Sequence, residues 1–452
     1  MENRHTIQEL YQYQALPLEK KVDMTIERIK GWVDRFGEYG VYISFSGGKD
    51  STVLLDIVRN RCGYKNIPAV FVDVPTQYPE LRSFAEKFDN VEILKPKISF
   101  MQVCEKYGFP LISKEVSECV QGARKYLTSL LNSETVLQTD RQTDRQTDRQ
   151  TDKHPYRYNF DRIVGAGAYQ KHQEPNTSLV YVRNIENPWN VRTWQVLCSE
   201  VGWGTTTSIV NYEELANIIN QDKKKGQKIK TAILLGMLTT DNKIKANIPS
   251  EDRSAFSQAK YKFFLDAPFE ISNKCCNVMK KEPAHRYSKE TGRMPITAQM
   301  ASESRLRTQK WLQNGCNAFD IKNPISNPMS MWTDQDVLLY IYENNLEICS
   351  VYGDVVTDYA AMGQVDGQMS FSDFGIFDKE RPSLKCTGCQ RTGCMLCGFG
   401  CHLEKPGEGR FERLKETHPK MYALLDVVKN NNVTMREAIE WVNEHGNLNI
   451  RL

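Results

Sequence analysis

The chain has 452 residues, 40% of them hydrophobic and 25% charged, enough for two or three globular domains each with its own core. Lysine and arginine number 59 against 56 aspartates and glutamates, and the resulting +3 gives no global electrostatic basis for nucleic-acid or membrane association. Met1 is followed by Glu2-Asn3-Arg4-His5 rather than an apolar leader, and no run of about 18 apolar residues occurs, so a soluble cytoplasmic protein is expected. In a reducing compartment the 13 cysteines are expected to hold metal or do redox chemistry rather than form disulfides.

From Leu18 to Phe36, Val22, Ile26, Ile29 and Val33 recur at helical spacing and imply an amphipathic helix. The β-rich run Val41 to Phe45 then leads into Ser46-Gly47-Gly48-Lys49-Asp50-Ser51, and Leu54, Leu55 and Val58 follow at helical spacing. This is a strand–turn–helix unit. Two adjacent glycines let the backbone turn tightly and approach a ligand, while the first N–H groups of the helix point outward, which suits an anion. A Walker A loop needs four residues between its glycines, so this is a different phosphate loop. Ala69 to Val72, ending at Asp73, and Val91 to Leu94 read as further strands. Strands spaced by helices imply a doubly wound parallel α/β sheet that binds ligands at its carboxyl edge, which makes Asp73 a candidate for contact with the bound ligand or its metal. Cys62, Cys104 and Cys119 read as small core or surface residues.

The loop resembles the S-G-G-x-D-S PP-loop of the ATP pyrophosphatase superfamily, which holds the β,γ-phosphates of ATP. The resemblance implies that Ser46, Gly47, Gly48 and Ser51 donate to phosphate oxygens, that Lys49 adds a point charge, and that Asp50 places Mg2+ or caps the helix.

Four near-copies of Gln-Thr-Asp-Arg run from Gln138 to Lys153 with nothing apolar among them, so a mobile surface insert is expected over 126–153. Thr-Asp-Arg-Gln can be encoded by a four-base unit, ACAG, read three times, and slippage in such a tract would switch production of the protein on and off. The gene sequence tests that reading. Residues 154–260 carry no chemical motif: Trp189, Trp194 and Trp203 suit a local core, Tyr212 to Ile219 a short helix, and Asp222 to Lys228 a solvated basic turn.

Further on come Cys275-Cys276 with Lys280, Lys281 and Pro283, then Arg286, then Pro295 to Met300 leading to Glu303, Ser304, Arg305 and Arg307. Asn327-Pro328 then precedes Trp332-Thr333 and Asp336, where Thr333 and Asp336 form a capping-box variant that starts a helix. This order resembles the phosphoadenosine phosphosulfate (PAPS) reductase family from about Leu16 to Cys401, interrupted between about Arg124 and Lys260. The resemblance places Lys280, Lys281, Arg286, Arg305 and Arg307 around the anionic groups of a sulfonucleotide. Cys386-x-x-Cys389, Cys394-x-x-Cys397 and Cys401 put five thiols in sixteen positions, a strong sign of metal, with zinc and an iron–sulfur cluster both suited to thiolates. Iron-dependent members of the family bind [4Fe–4S] through a Cys-Cys pair and a later CxxC. That implies Cys275 and Cys276 with either Cys386/Cys389 or Cys394/Cys397, Zn2+ being the alternative. Cys401-His402-Leu403 is similar to the C-terminal segment that carries the attacking thiol in reductases. Phe411 to Asp426 reads as helical, and Thr434 to Glu437 as a capping box opening a last helix.

The expected layout is a PP-loop half (1–125), the repeat insert (126–153), an α+β insert (154–260), a substrate-binding part (261–350) and a Cys-rich helical end (351–452). Reductases of the family generally carry Ser-Gly-Ala at the loop, whereas this chain keeps Ser-Gly-Gly-Lys-Asp-Ser. The resemblance therefore implies an ATP-using relative: an acceptor oxygen attacks the α-phosphorus of ATP, the loop and Mg2+ hold the pyrophosphate, and sulfur then displaces AMP. Lys49 and Asp50, with Cys401 as the thiol, are the catalytic candidates. A cysteine desulfurase or thioredoxin would supply sulfur or electrons, and a nucleic-acid acceptor has no support in the net charge. The alternatives are thiol-dependent reduction of PAPS to sulfite and a non-catalytic nucleotide-sensing subunit.

Overall fold

The computed structural model describes residues 4–131, 258–358 and 383–452. The repeat of 138–153, the tryptophans at 189, 194 and 203, the helix expected over 212–219 and the basic turn of 222–228 lie outside the described residues. The chain divides into two compact units, Met1–Phe100 with Cys276–Met395, and Met101–Cys275 with Leu396–Leu452. Among the described residues no helix is long and apolar enough to cross a membrane.

The first unit is built on a six-stranded sheet of order β3-β2-β1-β5-β7-β6. Its centre is β1 (Val41–Phe45), whose four apolar residues are all buried, Ser44 being the half-buried exception, as a largely apolar strand sandwiched between helices requires. Ile43 pairs in parallel with Ala69 of β2 (Ala69–Val72) on one side and with Ile296 of β5 (Met294–Ile296) on the other. β3 (Val91–Leu94) continues the first side, β7 (Ile325–Ser326) the second, and β6 (Asn317–Ala318) closes that edge antiparallel. Strand order thus reverses at β1. Right-handed crossovers that run outward in opposite directions from one strand put their helices on opposite faces, which is the doubly wound arrangement, and open a crevice at that strand's carboxyl end.

Helix α2 (Leu18–Phe36) spans the range its periodicity implies, but its most buried face is not purely apolar. Lys21 and Thr25 are fully buried beside Ile29 and Trp32, whereas Val22 and Ile26 are half-buried. Lys21 Nζ donates to the Asp336 carboxylate at 2.7 Å and to the Gln14 carbonyl at 2.5 Å, and Trp332 Nε1 donates to Thr25 Oγ1 at 2.9 Å. The same Asp336 oxygen accepts from the Thr333 amide and hydroxyl, which caps the helix Asp334–Glu343. The Trp-Thr-x-x-Asp segment is therefore a buried polar bolt into α2.

The second unit holds most of α5 (Phe100–Tyr107), then β4 (Leu111–Ile112), which pairs in parallel with β10 (Gly398–Phe399), and α6 (Lys114–Leu131). Arg124, 3% exposed, donates to the carbonyls of Phe264, Ala267 and Phe269 and pairs with Glu270. One guanidinium fork thereby ties three backbone carbonyls of an irregular segment together. The expected C-terminal helices are present as Arg410–Thr417, short turns over Pro419–Asp426, and Met435–Gly446 capped by Thr434 and Glu437.

Candidate functional site

The loop Ser46–Gly48 sits at the carboxyl end of β1, where strand order reverses, and helix α3 (Lys49–Asp56) leaves from it. Gly47 has φ +71°, and a Cβ there would lie 2.8 Å from the Leu81 carbonyl oxygen, so a side chain would meet both strain and a backbone clash. The loop is tied to itself by its serines. Ser51 Oγ accepts from the Ser46 amide at 3.1 Å and donates to the Gly48 carbonyl at 2.9 Å, while Gly48 N–H reaches Ser46 Oγ at 3.3 Å. Beyond Asp56 the helix loosens into a π turn over Ile57–Arg61, a local register change of the kind that recurs at functional sites.

Charge gathers on this loop. Lys49, 5% exposed, places Nζ 2.8 Å from Asp50 and 3.2 Å from Asp334. Burial works against its charge, but Asp50 and then Asp334 outweigh burial and hold the lysine above its ordinary pKa. The other oxygen of Asp334 accepts from Arg391 at 2.5 Å. Burial alone would raise the Asp334 pKa, yet Lys49 and Arg391 hold the carboxyl below its usual range. Arg307 is a third cation here: burial lowers its pKa, Asp50 opposes that, and Arg391 adds like-charge repulsion. It also pairs with Glu303 one turn back along the chain.

A second strand of the site comes from the Cys-rich segment. Gly388 and Cys389 donate backbone bonds to Tyr352 and Val351 at 2.8 and 2.9 Å, and a Cβ on Gly388 would lie 2.5 Å from the Val351 carbonyl oxygen. This close approach seats Thr392 Oγ1 2.8 Å from the Tyr352 hydroxyl, which is itself 3.1 Å from where a Gly48 Cβ would stand. Burial pushes the Tyr352 phenol up to about 12, with the Thr392 hydroxyl and the Lys49 backbone N–H acting the other way.

The other expected residues are distributed more widely. Asp73 ends β2 and is held by Arg82 at 2.5 Å. Arg286 bonds Glu282 and the Lys95 carbonyl just past β3, and Lys280 and Lys281 lie on the turn Asn277–Lys281. Of Arg305 only the backbone, opening the helix Arg305–Asn314, belongs to the described structure. Among the described side chains, Arg307 has Asp50 of the loop in its electrostatic surroundings. Asp334, Tyr352, Arg391 and Thr392 were not signalled by any sequence motif.

Cys276, Cys386, Cys389 and Cys394 belong to the first unit, Cys275, Cys397 and Cys401 to the second. Among the described residues no group of three or more His, Cys, Asp or Glu side chains is gathered to hold a metal ion. Cys386 and Cys389 are buried; burial raises the Cys386 thiol pKa, and Lys49 opposes that, which sets Cys386 within electrostatic reach of the loop. In the second unit Cys401 is 2% exposed and points Sγ at the Cys397 carbonyl at 3.4 Å. Burial drives its pKa up, with Arg410 opposing that.

A doubly wound α/β sheet with a Gly-Gly loop at its switch point, Lys49 on that loop and the Asp334–Arg391 pair beside it, defines the class of fold. The sequence matches the model for the phosphoadenosine phosphosulfate reductase domain over residues 40–112 and 227–398, more than half of its length, and the chain belongs to that family. The comparison with curated proteins gives no match. Among solved structures, the crystal structure of phosphoadenylyl-sulfate (PAPS) reductase from Candida auris, phosphate complex, aligns with 74% of this chain and 88% of its own at 13% identity and a TM-score of 0.28. A likeness that low carries no residue across.

Proposed function

We propose that the chain is an enzyme that binds ATP through Ser46 to Ser51, cleaves it at the α-phosphate and takes part in sulfur transfer. The observation that carries the reading is the intact Ser-Gly-Gly-Lys-Asp-Ser loop, with Gly47 at φ +71° and Lys49 on the loop paired to Asp334, which also holds Arg391. An acceptor oxygen forms its bond to the α-phosphorus as the bond to the bridging oxygen of pyrophosphate breaks, and the leaving group takes the negative charge. Loop amides, serine hydroxyls and Lys49, which in the ligand-free chain bond one another, Asp50 and Asp334, would turn to the pyrophosphate as that charge develops, and donors held this close to it would lower the barrier. Mg2+ arriving with ATP would find Asp50 beside the loop and would supply further charge neutralisation. Sulfur from a donor protein then displaces AMP from the acceptor.

The family match favours a second reading, thiol-dependent reduction of PAPS to sulfite. With Cys401 2% exposed, its use as the nucleophile would require the segment around it to open. A metal bound by the CxxC pairs, iron–sulfur or zinc, is proposed on their spacing alone, and iron, zinc and acid-labile sulfide analysis of anaerobically purified protein tests it. The function is tested by incubating the full chain with ATP or PAPS and following pyrophosphate and sulfite, with Ser46→Ala beside it. Pyrophosphate release lost in Ser46→Ala supports the first reading, and sulfite formation with ATP intact supports the second.

A further inference from the structure

Two acidic residues, Asp334 and Asp336, open the same helix and do different work. Asp336 closes the capping box with Thr333 and holds Lys21. Asp334 has no part in the cap, and its partners are cations of the phosphate site: one carboxylate oxygen faces Lys49 Nζ at 3.2 Å, the other receives Arg391 at 2.5 Å. A carboxylate bridging two cations through its two oxygens makes the contacts that two oxygens of a phosphate would make. Arg307 lies in the electrostatic surroundings of Asp50 and Arg391 and so belongs to the same charged cluster. Arg391 and Thr392 lie between the two CxxC pairs on a turn pinned to Val351 and Tyr352, so Arg391 is delivered to the loop by a fixed backbone rather than a wandering surface chain.

We propose that Asp334 is an internal stand-in for the ligand's phosphate, and that a bound phosphate displaces it and takes over Lys49 together with Arg391. Arg391 is then a phosphate-binding residue contributed by the Cys-rich segment. This rests on the nucleotide reading above and adds a self-occupied site that ligand must open. Asp334 is about two-fifths exposed as a side chain, so its carboxylate has solvent to turn into when it is displaced.

The test is calorimetric titration of the full chain with inorganic pyrophosphate in the absence of Mg2+, comparing wild type with Asp334→Asn, Arg391→Gln, Arg391→Lys and Ser46→Ala. Removing the competitor tightens binding about fivefold in Asp334→Asn, and removing the ligand cation weakens it about fivefold in Arg391→Gln, a moderate size because both side chains face solvent. Arg391→Lys recovers part of the loss. Unchanged or weaker binding in Asp334→Asn, with binding still lost in Ser46→Ala, overturns the stand-in and leaves the nucleotide reading intact. Pyrophosphate that binds wild type no better than Ser46→Ala overturns both. Thermal melts of each variant identify a misfolded protein, and for a misfolded Arg391→Gln the Arg391→Lys titration decides.

Discussion

Replacing Asp336 by alanine removes one side chain and three hydrogen bonds at once. Its carboxylate, 5% exposed, is the ionic partner of Lys21, whose side chain is 1% exposed. After the substitution Lys21 keeps the Gln14 carbonyl but loses its counter-charge, and breaking one side of a buried pair costs about 3–5 kcal/mol. Thr333 also loses the acceptor for its amide and hydroxyl, which adds about 1 kcal/mol for a weakened helix cap. The expected loss is about 4–6 kcal/mol in the unfolding of the first unit, measured by urea denaturation followed through tryptophan fluorescence, since Trp332 donates to Thr25 beside the bolt. The double variant Lys21→Met with Asp336→Leu should recover much of it, because an apolar pair of similar volume leaves no buried charge. A loss under about 1 kcal/mol for Asp336→Ala, or a double variant no better than the single one, would refute the claim that this motif is a structural bolt.

Gly48→Ala places a methyl 3.1 Å from the Tyr352 hydroxyl and 3.2 Å from Ser46 Oγ, so Ser46 must shift, and pyrophosphate affinity by calorimetry should fall about tenfold with little change in melting temperature. The lowered pKa of Asp334 means that its ionised form stabilises the fold at pH values above its unfolded pKa near 3.8, a contribution lost as pH falls through the lower folded value; Asp334→Asn should flatten that acid limb of a stability–pH profile. Lys49 runs the other way: its raised pKa gives stability that is complete below about 10.5 and fades as pH rises through the folded value, so Lys49→Met should remove a decline on the alkaline side. Cys401 should resist iodoacetamide in the native chain and react at the rate of an ordinary thiol in urea, as mass spectrometry of the alkylated peptide would show.

The amino-terminal half of the sheet was legible because each of its elements carries a local signal. Val41 to Phe45 is a largely apolar run, the glycines follow it directly, and Leu54 and Leu55 set a helical period, so β1, the loop and α3 stand where the sequence puts them. The other half was not: β5 has three residues, β6 and β7 two each, too short for any periodicity to show. The buried face of α2 was misjudged for another reason. Hydropathy assigns it to Val22, Ile26, Ile29 and Val33; Ile29 and Val33 are buried as expected, whereas Val22 and Ile26 give way to Lys21 and Thr25, whose partners lie more than 300 residues away. The site shows the same limit. Ser46 to Ser51 could be read as a string, whereas Asp334, Tyr352 and Arg391 matter only because the fold brings them to Lys49 and Gly48 from distant stretches. Cysteine spacing was equally plain in the sequence, and the division of those thiols between two units was not.

The central claim is that the loop at the end of β1 holds the pyrophosphate of ATP while the α-phosphate is attacked. Its most direct test is pyrophosphate release from ATP by the full chain, purified anaerobically and supplied with Mg2+, against Ser46→Ala. The account predicts release that depends on ATP and disappears in the variant; ATP left untouched while PAPS is converted to sulfite would contradict it.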